Sequence, residues 1–283
     1  MRRWGLCAAL CAAFLFPFTA QAKKTHPGPC RQGQVVSLVD RPGPGPAATT
    51  SGSPCTVPRK HVVVEFGYRN EVDNGKGGTS ILSSYPMTLV RLGLGKRDEI
   101  LYAPPTMAIR AGANVPTLFT PSSGVLDSGF GWKHNIQSHY WYQDAVEVFV
   151  TVPTGTNGQS LGGPSYAFSY TGAFSPGKLG IVASFTLTNA PGTPQNGGAL
   201  RRYASYGPAI TFSYPIDNST SVILNENVTI PANPTGGTSN VLLVALQRAL
   251  SSGFVVDVES EYNLTPAAGY HERAIGFGGA FSI

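Results

Sequence analysis

The sequence predicts an all-β fold, a closed antiparallel transmembrane β-barrel of about 12 up-and-down strands. Three observations carry that prediction. The 283 residues include 34 Gly and 23 Pro but only 12% charged side chains, about half the roughly 25% of an ordinary soluble domain. Gly and Pro spread along the chain cut it into short segments, which suits strands and turns rather than a coiled coil or long helices. Period-2 alternation runs through several of those segments. The connections between them alternate long and short, the layout of an outer-membrane barrel with short periplasmic turns and longer outer loops. Disorder is excluded, because it requires low hydrophobicity and high net charge, whereas this chain is 42% hydrophobic at a net +5.

Residues 1–22 read as a secretory signal. Arg2 and Arg3 give a basic start, Leu6 to Phe18 a short apolar run, and Ala20-Gln21-Ala22 a small-x-small site for cleavage after Ala22. The run is shorter than the roughly 20 apolar residues of a spanning helix. After export, the two remaining cysteines, Cys30 and Cys55, are expected to form one disulfide. Residues 23–60, with Pro42-Gly43-Pro44-Gly45-Pro46 among them, read as a periplasmic extension with no core.

From residue 61 onward, strand-like segments are expected at 61–69, 87–94, 98–103, 128–136, 142–152, 164–173, 179–188, 203–213, 219–230, 239–249, 253–262 and 273–283. The long connections are 70–86, 104–127, 153–163, 189–202, 231–238 and 263–272. The short ones are 95–97, 137–141, 174–178, 214–218 and 250–252. Most segments match the 9–11 residues, roughly, that a tilted strand needs to cross a bilayer. In Val62 to Arg69 the even positions are apolar, while Glu65, Gly67 and Arg69 share the other face; in 254–261, Asp257, Glu259 and Glu261 line up opposite the apolar positions. Tyr140, Trp141, Tyr142, Tyr203, Tyr214 and Tyr262 gather near segment ends, where interfacial girdles lie. At the C-terminus, Gly278, Phe281 and Ile283 resemble the terminal-strand signal read by the bacterial barrel-insertion machinery, although a terminal aromatic is the commoner form.

Two stretches carry a family resemblance. Tyr85-Pro86-Met87-Thr88-Leu89-Val90-Arg91-Leu92-Gly93-Leu94 followed by Asp98-Glu99-Ile100 resembles an early hairpin of the outer-membrane transporters named for the meta-pathway of phenol degradation. That hairpin has an Arg, a Gly-Leu pair, a polar turn and an acidic residue opening the next strand. Val148 to Gly155, ending in Pro153-Thr154-Gly155, resembles the same family's central strand. The extension with Cys30 and Cys55 and the isoleucine terminus depart from the pattern. The resemblance spans 61–283 and implies a pore-like barrel that passes small, aromatic or hydrophobic compounds.

No catalytic constellation is expected. His134 and His139, five apart around a turn, have neither strand nor helix metal spacing. Ser138-His139 falls in a periplasmic turn, no Gly-x-Ser-x-Gly elbow occurs, and the Gly77-Gly78 and Gly236-Gly237 loops lack a Walker lysine. No metal, cofactor or nucleic-acid partner is predicted. The lipid face excludes charge, at about 2–4 kcal/mol for Arg or Lys at midplane. Glu65, Arg69, Arg91, Glu99, Glu147, Glu226, Asp257, Glu259, Glu261 and Arg273 are therefore expected at the lumen or its rims. The leading expectation is a channel of the bacterial outer membrane, with lipid and lipopolysaccharide outside and a small-molecule solute inside. Its alternatives are a surface adhesin or structural barrel using loops 70–86 and 104–127, and a secreted β-sandwich.

Overall fold

The structure is a computed structural model and describes residues 53–75, 78–113, 122–139, 141–156, 159–192, 201–231, 238–265 and 271–283. The expected signal peptide, Cys30, Tyr140 and most of the Pro/Gly-rich extension lie outside the described residues.

Fifteen β segments follow in chain order: β1 (Val62–Gly75), β2 (Gly78–Tyr85), β3 (Leu89–Gly93), β4 (Asp98–Ala103), β5 (Met107–Ala113), β6 (Ser122–Val125), β7 (Ser128–Ser138), β8 (Tyr142–Val152), β9 (Ser165–Phe174), β10 (Gly180–Gly192), β11 (Arg201–Pro215), β12 (Thr220–Pro231), β13 (Ser239–Ser251), β14 (Phe254–Asn263) and β15 (His271–Ser282). They form one antiparallel sheet in the order β15-β14-β13-β12-β11-β10-β9-β8-β7-β4-β3-β1-β2-β5-β6, and β1 also pairs with β15. β2 and β3 are one stave interrupted at 86–88; β4 and β5 are interrupted at 104–106, and β6 and β7 at 126–127. The fifteen segments thus make a closed barrel of twelve staves. Pro86, Pro104 and Pro105 sit at two of the breaks, where a residue without an N–H cannot extend the ladder. The breaks are stitched together: the Thr106 hydroxyl donates to the Pro86 carbonyl at 3.1 Å, and Leu126 N–H donates to the Thr106 carbonyl at 2.8 Å.

Closure runs from Val63 opposite Ser282 to Asn74 opposite His271. A sheet in hydrocarbon has no water to satisfy an open edge, and each unpaired backbone group there costs several kcal/mol. Side-chain alternation follows. Outward positions include Phe130, Trp132, Tyr166, Phe168, Phe185, Leu187, Phe212, Ile275 and Phe277, all among the exposed large apolar residues. In water this band would be a large aggregation-prone surface; in a bilayer it is the lipid contact. Cross-strand ring pairs on it, Tyr68 with Phe277 (5.1 Å) and Tyr102 with Phe130 (5.0 Å), reinforce the staves. Tyr214 and Tyr262 stand outward and exposed near strand ends, whereas Tyr203 has the parity of the inward face. Inside, Leu89, Leu101, Ala103, Phe149 and Ala167 pack together. A Cβ on Gly129 would lie 2.1 Å from the Phe149 ring, so glycine makes the space that ring fills.

Two expectations are corrected. Residues 70–86 and 104–127, read as outer loops, are largely strand: β1 runs on to Gly75, and β2, β5 and β6 extend the wall. Their runs of Ser, Thr and small residues mask the alternation, which shows only in outward Ile81, Tyr85, Met107 and Ile109. The extension does contribute to a core. Val57, 2% exposed, packs with Val63, Val255 and Ala280 on the inside of β1, β14 and β15.

The outward band makes a stability prediction. Phe277→Arg, midway along β15, should lower the unfolding free energy in lipid vesicles by about 2–4 kcal/mol, while Arg273→Leu near the strand end should shift it by less than about 1 kcal/mol. Guanidinium titration of both variants measures the difference.

Candidate functional site

The inward face of the barrel is the candidate site. It holds two clusters of charge and one wall of small polar residues.

The first cluster lies at the end of the barrel where the short turns, 94–97 among them, join the strands. Arg91 on β3 and Glu99 on β4 stand near each other across the hairpin that the 94–97 turn closes, where Leu92 faces Ile100 and Gly93 faces Glu99. Arg91 Nη2 meets Glu99 Oε1 at 2.8 Å and Oε2 at 3.0 Å, and Nε meets Oε1 at 3.1 Å. Arg91 Nη1 reaches Glu65 of β1 at 3.1 Å. Lys133 of β7 bridges Glu99 (3.4 Å) to Glu147 of β8 (3.6 Å). These five groups are 0–3% exposed. Charges this deeply buried persist only when paired and hydrogen-bonded.

Part of that hydrogen bonding comes from the chain ahead of β1. Lys133 Nζ donates to the Ser53 carbonyl at 3.0 Å, Asn135 Nδ2 to that of Pro54 at 3.2 Å, and Arg91 Nη2 to that of Cys55 at 2.8 Å. In the reverse sense, Val57 N–H donates to Glu99 Oε2 at 2.6 Å. Residues 53–57 therefore lie inside the barrel, touching β7, β4, β3, β1, β15 and β14, which are six consecutive staves of the twelve. Cys55 is disulfide-bonded, and Cys30 lies outside the described residues.

The second cluster is nearer the opposite end, that of the long connections. Arg69 bonds Glu261 of β14, and also meets Glu71 at 3.1 Å and Glu272 of β15 at 3.3 Å. Asp73 lies opposite Glu272, and Arg110 on β5 shares the inward face. Glu71, Asp73 and Glu272 bring carboxylate oxygens within 4.8 Å of one another, the one metal-like grouping among the described residues. Arg69 reaches two of the three, so a protein cation already sits among these carboxylates. Unlike the first cluster, these side chains keep water contact: Arg69 is 12% and Glu272 29% exposed.

Of the charges expected at the lumen, Glu65, Arg91, Glu99 and Glu147 come together in the first cluster, and Arg69 and Glu261 in the second. Asp257 and Glu259 are buried on the inward face of β14, with Glu259 folded over Gly276. Glu226 and Arg273 are corrections: both have the outward parity, in register with Leu242 and with Val72. Near a bilayer interface an outward charge costs only about 0–1 kcal/mol, so charge alone did not force them inside; Glu226 also accepts from Asn240 at 2.9 Å. Lys133, Glu71, Asp73, Glu272 and Arg110 were not expected. For Lys133 the signal was present, since Phe130 and Trp132 fix the outward parity of β7. Gly278 lies between Gly67 and Asp257, Phe281 packs 6.2 Å from Phe66, and Ile283 exchanges backbone hydrogen bonds with Val62. Among the described residues, nine carboxylates and five cations (Arg201 at the start of β11 included) have inward parity, an excess of four negative charges in a chain that is +5 overall.

The rest of the inward face is different. Along β10–β13, inward Ser184, Thr186, Ser205, Ala209, Asn225 and Gln247 are short or polar and only half-buried. Water reaches that side of the interior, while the wall from β3 to β9 is packed.

No protein-family model and no curated protein sequence matches the chain. Among solved structures it is similar to the NanC porin, at a TM-score of 0.51 and 10% identity over 76% of this chain and 98% of that one. It is also similar to the beta domain of the Bordetella autotransporter BrkA, at a TM-score of 0.50 and 10% identity over 78% and 98%. At such identities the likeness is one of fold: an outer-membrane-type barrel.

The buried ladder should tolerate no single deletion. Arg91→Met removes the guanidinium that Glu65 and Glu99 share, leaving Glu99 only Lys133 and the Val57 N–H, and should cost about 3–5 kcal/mol in equilibrium unfolding. Outward Glu226→Gln should cost less than about 1 kcal/mol in the same assay.

Proposed function

We propose that this chain is an outer-membrane channel for passive or facilitated passage of small solutes, with a preference for cations. One observation carries the reading: β10–β13, a third of the wall, presents half-buried polar side chains beside the buried Ile223 and Ala245, and the Arg69 cluster across β14, β15 and β1 is rich in carboxylates that keep water contact. Twelve strands enclose more space than the side-chain-filled barrels of eight and less than the open porins of sixteen. Carboxylates clustered on one wall of a narrow, low-dielectric passage, here β14, β15 and β1, concentrate cations and repel anions. Small cations, aromatic ones included, are the solute class compatible with both the acidic lining and the aromatic compounds implied by the sequence resemblance. In this reading the apolar band contacts lipid and lipopolysaccharide of the bacterial outer membrane. The signal peptide exports the chain, and Gly278, Phe281 and Ile283 serve the insertion machinery.

A second reading is favoured by a different observation. Residues 53–57 and the charge ladder fill one side of the periplasmic end, as they would in a closed surface barrel with adhesive or structural duty.

Ion selectivity separates the two. Replacing Asp257, Glu259 and Glu261 together by Asn, Gln and Gln should lower the cation-to-anion permeability ratio in planar bilayers while leaving the heat-modifiable gel shift of the folded barrel intact. An unchanged ratio assigns these carboxylates to structure alone.

A further inference from the structure

We propose that residues 53–57 are a resident latch: a removable strap, seated in a receptor built for extended backbone on the inward face of β1, β3, β4 and β7, whose withdrawal widens the periplasmic mouth. This rests on the channel reading.

The receptor recognises backbone rather than side chains. Three consecutive carbonyls, those of Ser53, Pro54 and Cys55, each accept from a different wall donor: Lys133, Asn135 and Arg91. The next free N–H on that line, that of Val57, is taken by Glu99. Every one of these wall groups is at most 5% exposed, and burial without partners would cost each of them its hydration. A wall meant only to be filled would use apolar side chains, which pack without that penalty. Four polar side chains aimed at one peptide's main chain instead form a binding groove, and in this chain the ligand is its own N-terminal segment. The Val57 side chain adds an apolar anchor against Val63, Val255 and Ala280.

The seat has a steric keyhole. Where the strap leaves the groove, the Val57 and Pro58 carbonyls press on Gly93, and a Cβ there would lie 2.4 Å and 2.1 Å from their oxygens. Both contacts are with backbone, so a larger residue must displace the strap or the strand. Gly93 is held in β3 by its pairing with Glu99 of β4 as well as by backbone bonds to Lys60 and His61, whereas Val57 and Pro58 lie ahead of β1 outside any strand, so the strap is the part that gives. Opposite the strap, the polar positions of β10–β13 are only half-buried, so a displaced strap meets a solvated wall rather than a packed one.

The test uses the full chain in planar bilayers. Gly93→Ala unseats the strap sterically without removing a charge. Asn135→Leu removes a single neutral hydrogen bond to Pro54, and decides the question if Gly93→Ala fails to give the heat-modifiable folded form. The latch predicts a several-fold higher single-channel conductance for a folded variant than for the wild type. Conductance equal to that of a conducting wild type overturns the latch and leaves the channel reading standing. Absence of conductance in the wild type and in both variants overturns latch and channel together.

Discussion

Everything in this protein depends on the pairing of β1 with β15. A twelve-stave sheet left open at that seam would present two rows of unpaired N–H and C=O groups to hydrocarbon, where nothing else can bond them. Once the seam closes, inside and outside are fixed for all twelve staves, because side chains alternate strictly. Phe277 and Ile275 go to lipid; Gly276, Ala274 and Glu272 go to the interior. Charge segregation is a consequence of closure, and any channel function is in turn a consequence of the segregation.

Within the interior, the two charge clusters do different physical work. The Arg91–Glu99–Lys133 ladder is dry, and a dry ion pair is weak evidence for stability because desolvation offsets much of its Coulomb gain. What such a ladder supplies is position: the Arg91 fork fixes β3 against β4, and its spare donors hold the main chain of 53–57. The Arg69 cluster keeps contact with water, so its carboxylates stay open to ions in solution. The same residue types serve as a fastening at one end of the barrel and as a lining at the other, and burial decides which.

The sequence made the architecture legible wherever both faces of a strand are chemically distinct. Val62 to Arg69, 179–188 and 254–261 alternate cleanly, and the long–short rhythm of the connections follows from barrel topology. The upper wall was illegible because Ser80, Ser83, Ser84 and Ala108 make strands as compatible with water as with packing, so 70–86 and 104–127 read as loops. Arg273 and Glu226 were assigned by a charge rule that weakens near the interface, although the parity of Ile275 and Phe277 already pointed Arg273 outward. The strap could not be read at all. Its contacts are made by main-chain atoms of Ser53, Pro54, Cys55 and Val57, which any sequence possesses, and its receptor is assembled from staves up to 81 residues away.

The most direct test is the reversal potential of the wild-type full chain in a planar bilayer under a potassium chloride gradient. An acid-lined lumen open along β10–β13 predicts discrete conductance steps with a reversal potential of the sign set by potassium. Steps reversing toward the chloride potential would contradict the acidic lining as the source of selectivity, and a folded, inserted protein with no steps would contradict passage itself.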